Sequence, residues 1–392
     1  MSKLAHKNNR ILRSQQVLNA LIAIVRPYLP LDLRNTRITA EDIIAVLGYA
    51  SVHRISMDAA SHELKEAPSA NRLREVLAHA LPDRATLQRA LNTILRTQTP
   101  RFVKKGKRAY YIAIDLTLIP YHGECYKDEK EIVRSQPKSG TTHFHGYASV
   151  SIVHDNQRFV VALRFVEKGE SMENIVAWLL NRLKSIGISI KRAYFDKGFC
   201  SVPVLKTLQR RKIKFILPIP VRGKSGGVRK LFAASASRKT TYTLHSPKHG
   251  ELEVCAVAVK KYSKGRYKRK GTRWFAYAVA GLPKSVEPSQ VFEMYRQRFG
   301  IETSYRQMNQ VRARTTSRNP VIRLLLVGLA FILFNLYIAN RQHFAICLKN
   351  PAKPLSKFWL TLRRLARMLA HAVENLYDLA DVVSRHSLVP LS

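Results

Sequence analysis

Between Ile38 and Gln98, apolar residues recur at intervals of three and four in short runs separated by cap and breaker residues. In "TAEDIIAVLGY", Thr39 stands where a side-chain oxygen can cap the first turn; "SANRLREVLAHALP" stops at Pro82, and "DRATLQRALNTIL" restarts at Asp83. Short helices in succession predict a helical domain over residues 1–100. The pattern suits a helix-turn-helix DNA reader and an ordinary small bundle equally well.

After the basic linker "TQTPRFVKKGKR" the period changes. "AYYIAIDLTLI" is a compact run of strand formers, and "HGYASVSIV" and "RFVVALRFV" follow with the same character. "SMENIVAWLLNRLKSI" then has helical spacing, "IKRAYFDKGF" returns to strand, "SVPVLKTLQRRK" reads as helix and "IKFILPIP" as strand. Three strands followed by alternating helix and strand predict a mixed α/β sheet covered by helices, with residues 101–218 as its first part. "TTYTLHSP", "ELEVCAVAVKKY" and "RWFAYAVAG" predict a β-rich insertion over 219–286, with "KKYSKGRYKRKGTR" as a basic hairpin or loop. Residues 287–347 are expected to complete the core, and 348–392 to form an amphipathic helical segment containing "FWLTLRRLARMLAHAVENLYDLADVV".

Charge narrows the class of partner. The 392 residues carry 67 Lys plus Arg against 26 Asp plus Glu, a formal charge of +41. Such a surface repels itself and gains most by releasing counterions from nucleic acid, with an anionic membrane as the competing partner. Residues 1–100 hold 14 basic and 8 acidic residues, and residues 101–392 hold 53 and 18, so most of the attraction lies beyond residue 100. From Lys206 to Arg273 there are 20 basic residues and two acids, Glu251 and Glu253, which is too one-sided for a merely solvated face.

The uncharged run "LLLVGLAFILFNLYIAN", Leu324 to Asn340, has 17 residues, slightly short of the roughly 20 needed to cross a bilayer. Arg323 and Arg341 bracket it, and it begins after the cap sequence "SRNP", so a buried core helix is expected. Cys125, Cys200, Cys255 and Cys347 include no close pair and suit a reducing cytosol, and the N-terminus shows no signal-peptide pattern. A cytoplasmic, nucleoid-associated protein without a membrane partner is the expectation.

Three acids stand out. Asp115 interrupts an apolar strand and Asp196 ends another, although carboxylates are seldom placed there without a partner. Either alone could cap a helix or pair with an arginine. Glu302 lies in "MYRQRFGIETSYRQMNQVRARTT", where at about 100° per residue Tyr295, Arg298, Glu302 and Asn309 fall within roughly 60° on one helix face, with Tyr305 and Arg306 beside them. Three converging carboxylates would supply hard oxygen ligands to two Mg²⁺ or Mn²⁺ ions, the arrangement that serves in-line phosphoryl displacement.

The spacing Tyr295-x2-Arg298-x3-Glu302-x6-Asn309 resembles the Y-(2)-R-(3)-E-(6)-K signature of DDE transposases from bacterial and archaeal insertion sequences, and Asp115 in "IAIDLTLIPYHG" and Asp196 in "RAYFDKGF" resemble that group's first two acids. The similarity spans about residues 108–340. It implies an RNase H-like catalytic core, a β-rich insertion between the second Asp and the Glu, and cut-and-paste movement of DNA. Asp115, Asp196 and Glu302 would be the catalytic metal ligands. Tyr295 and Arg298 would grip terminal phosphates, a homodimer would hold paired double-stranded ends and target DNA, and strand cleavage would pass through a DNA hairpin. Asn309 replaces the signature lysine, and Arg306, Arg312 or Arg314 could restore the missing charge.

Other constellations are weaker. His122, Cys125, His143 and His145 could form a metal site but lack a finger spacing, and "GKSGG" at 223–227 lacks the full phosphate-loop pattern. Two functional classes therefore remain open beside the membrane reading: a DNA-cutting transposase, and a non-catalytic DNA-binding protein or regulator derived from one.

Overall fold

A computed structural model describes residues 11–100, 103, 108–154, 157–223, 225–264, 270–296, 307–347 and 360–380. They divide into two compact units, residues 1–98 with 307–392, and residues 99–306.

The first unit begins with α1 (Ser14–Val25), α2 (Ala40–His53), α3 (Met57–Glu63), α4 (Ala70–Ala80) and α5 (Arg84–Gln98). Side-chain caps fix the starts of α2 to α5, at Thr39 as expected. Thr39 and Asp42 exchange hydrogen bonds in a capping box, Ser56 and Ser69 accept from Ala59 N and Arg72 N, and the Asp83 carboxylate accepts from Ala85 N and Thr86 N. α2 is buried from Ile43 through Ser51, so it lies at the centre of the bundle.

The second unit is built on one sheet: β1 (Tyr110–Pro120), β2 (Val133–Lys138), β3 (Thr141–His154), β4 (Gln157–Val166), β5 (Ile190–Phe195), β6 (Phe215–Pro218), β7 (Arg238–Ser246), β8 (Gly250–Lys264) and β9 (Lys270–Ala280). The order is β2-β3-β1-β5-β6-β9-β8-β7, with β4 also paired to β3. β1, β5 and β6 run parallel, and such neighbours need crossovers. α6 (Met172–Ser185) precedes β5, and α7 (Val202–Arg210) joins β5 to β6. The path β4-β3-β1-β5-β6, with β3 antiparallel to both its neighbours, is the RNase H-like sheet anticipated from the sequence. β5 is buried on both faces from Arg192 to Phe195, as a central parallel strand should be, whereas the edge strand β7 exposes Arg238 and Lys239.

The β-rich insertion is continuous with this sheet: β9 pairs with β6 from Phe215–Ala280 to Pro218–Tyr277. α8 (Pro288–Arg296) follows and closes a cluster of Ile216, Val257, Val259, Tyr277, Val279, Val291 and Tyr295.

The chain then rejoins the helical unit with α9 (Pro320–Cys347) and α10 (Leu362–Tyr377). The sequence grouped 287–347 with the sheet, but the compact units part at Arg306 and residues from Gln307 fold with the helices. The reason is the apolar run. A helix hydrophobic all round needs cover all round, and α9 packs on α5, α2 and α10. Its most apolar window meets the length and hydropathy of a membrane span, yet 83% of that window is buried inside the protein. Gly328 allows the α5 contact, since a Cβ there would stand 2.6 Å from the Leu91 methyls. α10 is tied to the N-terminal helices by the Tyr377 hydroxyl, which donates to Asp42 Oδ1 at 2.6 Å, and by Lys65 N and Glu66 N, which donate to the carbonyls of Asp378 and Tyr377.

Candidate active site

Two acids stand on neighbouring strands because β1 and β5 are in register. β1 and β5 pair in parallel from Tyr110 to the Ile114–Phe195 pair, so Asp115 and Asp196 are the next residues on adjacent strands. Neighbouring strands lie about 4.8 Å apart and side chains alternate between faces, so the two acids leave the same face of the sheet. Both are half-buried, within reach of solvent and substrate.

Each acid is held by its own backbone. Asp115 sits within β1, opposite Ser149 of β3, and its Oδ1 accepts from Leu116 N at 2.9 Å. Asp196 begins a 3-10 turn over Lys197–Phe199, whose Phe199 N donates to the Asp196 carbonyl at 3.0 Å. Lys197 is exposed beside it, a cation that its adjacency in sequence places at the site.

Cys200 follows this turn. Burial pushes its thiol up to about 12, only partly opposed by the nearby positive charge of Arg222. At pH 8 almost none of it is thiolate, the form that reacts. Iodoacetamide is therefore expected to label the exposed Cys125 and Cys255 at least about tenfold faster than Cys200, as read by peptide mass spectrometry.

Glu302, Arg298, Tyr305 and Arg306 lie outside the described residues. Tyr295, near the end of α8, is 4% exposed; its ring packs against Tyr277 with centroids 5.1 Å apart, and its hydroxyl donates to the Phe195 carbonyl at 3.1 Å. Asn309, Arg312 and Arg314 belong to the helical unit. They do not continue one helix to Thr316: Asn309–Val311 is a 3-10 turn and Arg312 is extended (φ −113°, ψ 120°). The helix gives way because Arg314 N is committed to the Ile55 carbonyl and the Arg323 guanidinium takes that of Ser317. Asn309 is exposed and accepts from Arg312 Nε at 3.2 Å, and Arg314 is exposed.

Asp115 and Asp196 offer the hard oxygen donors that Mg²⁺ or Mn²⁺ takes. Among the described residues no group of three or more His, Cys, Asp or Glu could hold a metal ion. The His and Cys constellation does not assemble a site: His145 is buried against Tyr121 while His122 and Cys125 are exposed. Residues 223–227 include Gly223, Gly226 and Gly227 at positive φ and lead into a short 3-10 helix.

The basic strands form a second feature. Lys261 of β8 faces Arg273 of β9. Like charges directly opposite one another weaken a sheet. Lys261 is relieved by Glu293 at 3.2 Å, and Lys260 lies over Trp274, which stacks on Phe232. Arg238, Lys260 and Arg273 are exposed at this end of the sheet.

The sequence profile of the family described as a transposase DDE domain matches residues 107–336. No curated protein matches the chain. Among solved structures, a piggyBac transposase synaptic complex with hairpin DNA is similar at 12% identity and a TM-score of 0.58, over 96% of this chain and 82% of that one. The Drosophila P element transposase strand transfer complex aligns at 15% identity and a TM-score of 0.22, over 51% of this chain and 43% of that one. The first likeness shows a shared fold.

Proposed function

Because this chain belongs to the transposase DDE-domain family, whose profile covers more than half of it, we propose that it binds the ends of an insertion sequence of the YREK-signature group, cleaves them, and joins the freed 3′ ends to target DNA. The observation that carries the reading is the register that sets Asp115 and Asp196 side by side at the end of β5. Glu302 would complete the ligand set. Held by these carboxylates, divalent ions would lower the pKa of a water or of a DNA 3′-hydroxyl and offset the charge on the departing oxygen.

The chain's own residues hold and orient the DNA. Arg298, Tyr305, Arg306, Arg312 and Arg314 supply cations and a phenol for phosphates, and the exposed Arg238, Lys260 and Arg273 are further cations, carried on the sheet. Phosphate contacts of this kind set register without reading sequence. A homodimer would process the two double-stranded ends together, in the cytoplasm on the nucleoid. A hairpin route is supported by the family resemblance and by the hairpin DNA in the piggyBac complex.

One residue favours a second reading, a regulator that binds ends without cutting: Asn309 lacks the charge of the signature lysine. Its hydrogen bond to Arg312 brings a guanidinium to that position, which argues for retained function. Labelled duplex taken from the DNA flanking the reading frame, incubated with the protein and Mg²⁺ or Mn²⁺, is expected to yield nicked ends. Binding with no product in either metal would favour the regulator.

A further inference from the structure

Of the residues in the sequence signature, Tyr295 is placed where contact with DNA does not explain it. It is 4% exposed, among Ile216, Val257, Tyr277 and Val291, and its hydroxyl reaches across about a hundred residues of chain to the Phe195 carbonyl at 3.1 Å. That carbonyl belongs to the peptide that links Phe195 to Asp196. The hydrogen bond it accepts from Tyr295 holds the peptide plane at the point where the chain passes from β5 into the 3-10 turn that Asp196 begins. The ring is clamped as well, by Tyr277 of β9 at 5.1 Å, with the neighbouring Phe275–Phe292 contact at 4.9 Å holding the same helix to the same strand.

We propose that Tyr295 is a positioning residue for Asp196: it ties α8, which runs toward Glu302 in the sequence, to the strand end that carries the second acid, and it is not a phosphate ligand. The inference rests on the reading of Asp115 and Asp196 as metal ligands. It differs from the family resemblance, which assigns this tyrosine to the DNA backbone. The physical case is that a buried phenol without a partner is costly, whereas here its one polar atom is used on the protein itself. A hydroxyl so engaged offers nothing to a phosphate at the surface, while its loss would free the peptide next to a metal ligand. Supporting residues of that kind commonly change metal affinity rather than abolish it.

The test uses Y295F, which removes the hydroxyl and keeps the ring, in the full-length protein. Binding of Mn²⁺ alone is followed by electron paramagnetic resonance, and binding to the labelled flanking duplex by fluorescence anisotropy in EDTA. The expected result is Mn²⁺ affinity weakened about three- to tenfold, with metal-free DNA affinity and its salt dependence unchanged. Cleavage by Y295F should fall at low Mg²⁺ and recover at high Mg²⁺, a shift that a general loss of stability would not give. Unchanged Mn²⁺ affinity would overturn the proposal, as would DNA affinity reduced tenfold with a salt slope shallower by about one. D196A distinguishes the two levels of failure. If D196A binds Mn²⁺ as the wild type does, the metal-site reading itself is wrong; if D196A loses Mn²⁺ and Y295F does not, only the positioning role is.

Discussion

Replacing Asp196 by Ala is expected to abolish DNA cleavage while leaving DNA binding and folding nearly intact. A divalent ion at a reacting phosphate contributes several kcal/mol of transition-state stabilisation, and each 1.36 kcal/mol is about tenfold in rate. Loss of one of its carboxylate ligands should therefore lower the single-turnover rate by about a thousandfold or more. Binding should change by less than about threefold and in the direction of tighter, because a carboxylate facing phosphates repels them when no metal intervenes. Asp196 is half-buried at a strand end, so its loss leaves no cavity in the core, and the melting temperature should stay within about 2 °C of the wild type. Asp115→Ala should behave in the same way, with one difference. Asp115 lies within β1 and its carboxylate accepts the Leu116 amide, so a small loss of stability is expected as well. Ordinary Mg²⁺-dependent cutting by either variant would remove the basis for the site.

The second large effect concerns charge. Arg238, Lys260 and Arg273 are exposed on the β7-β8-β9 strands: the pairings Arg238–Ala258 and Lys260–Trp274 put Arg238 and Lys260 on one face, and the pairing of Arg273 with Lys261 puts it on the other. The triple variant R238Q/K260Q/R273Q is expected to weaken DNA binding by about ten- to a hundredfold near physiological salt. The informative quantity is the salt slope. Each phosphate neutralised contributes about 0.9 to it, so the slope should become shallower by up to nearly three. Stability should hold or rise slightly, since the variant relieves repulsion around the Lys261–Arg273 pair. Affinity lost without a change in slope would mean that these residues shape the sheet and do not meet the backbone. Lys261 is left in place because it is paired with Glu293.

Much of the catalytic sheet is legible in the sequence because its signals are local. β1, β3, β4 and β5 are runs of strand formers, and Asp115 and Asp196 are conspicuous because such runs seldom tolerate an unpartnered acid. The caps at Thr39, Ser69 and Asp83 are equally local. What the sequence does not show is pairing at a distance. β2 is "VRSQPK", exposed at most positions and without an apolar pattern; it is a strand because β3 offers it an edge. The insertion reads as three strands, but its union with the core depends on β9 meeting β6 across more than fifty residues of chain.

Two further features depend on contacts far apart in the chain. The helix around the charge-free run declares itself as buried, yet its partners are α2, α5 and α10, which only the fold identifies. The helix face drawn through Tyr295 and Asn309 fails at its far end, where the Arg314 amide is drawn to Ile55 and helical phase is lost. At its near end Tyr295 is helical, as the face requires, but it looks inward to Phe195.

The central claim is that Asp115 and Asp196 share divalent metal at the point where DNA is cut. Anomalous scattering from Mn²⁺ in crystals of the protein bound to an element end tests it most directly. The account predicts manganese peaks at which the carboxylates of Asp115 and Asp196 would be ligands, with Glu302 completing the set. Crystals that cleave their DNA while manganese sits elsewhere, with those two side chains uncoordinated, would contradict it.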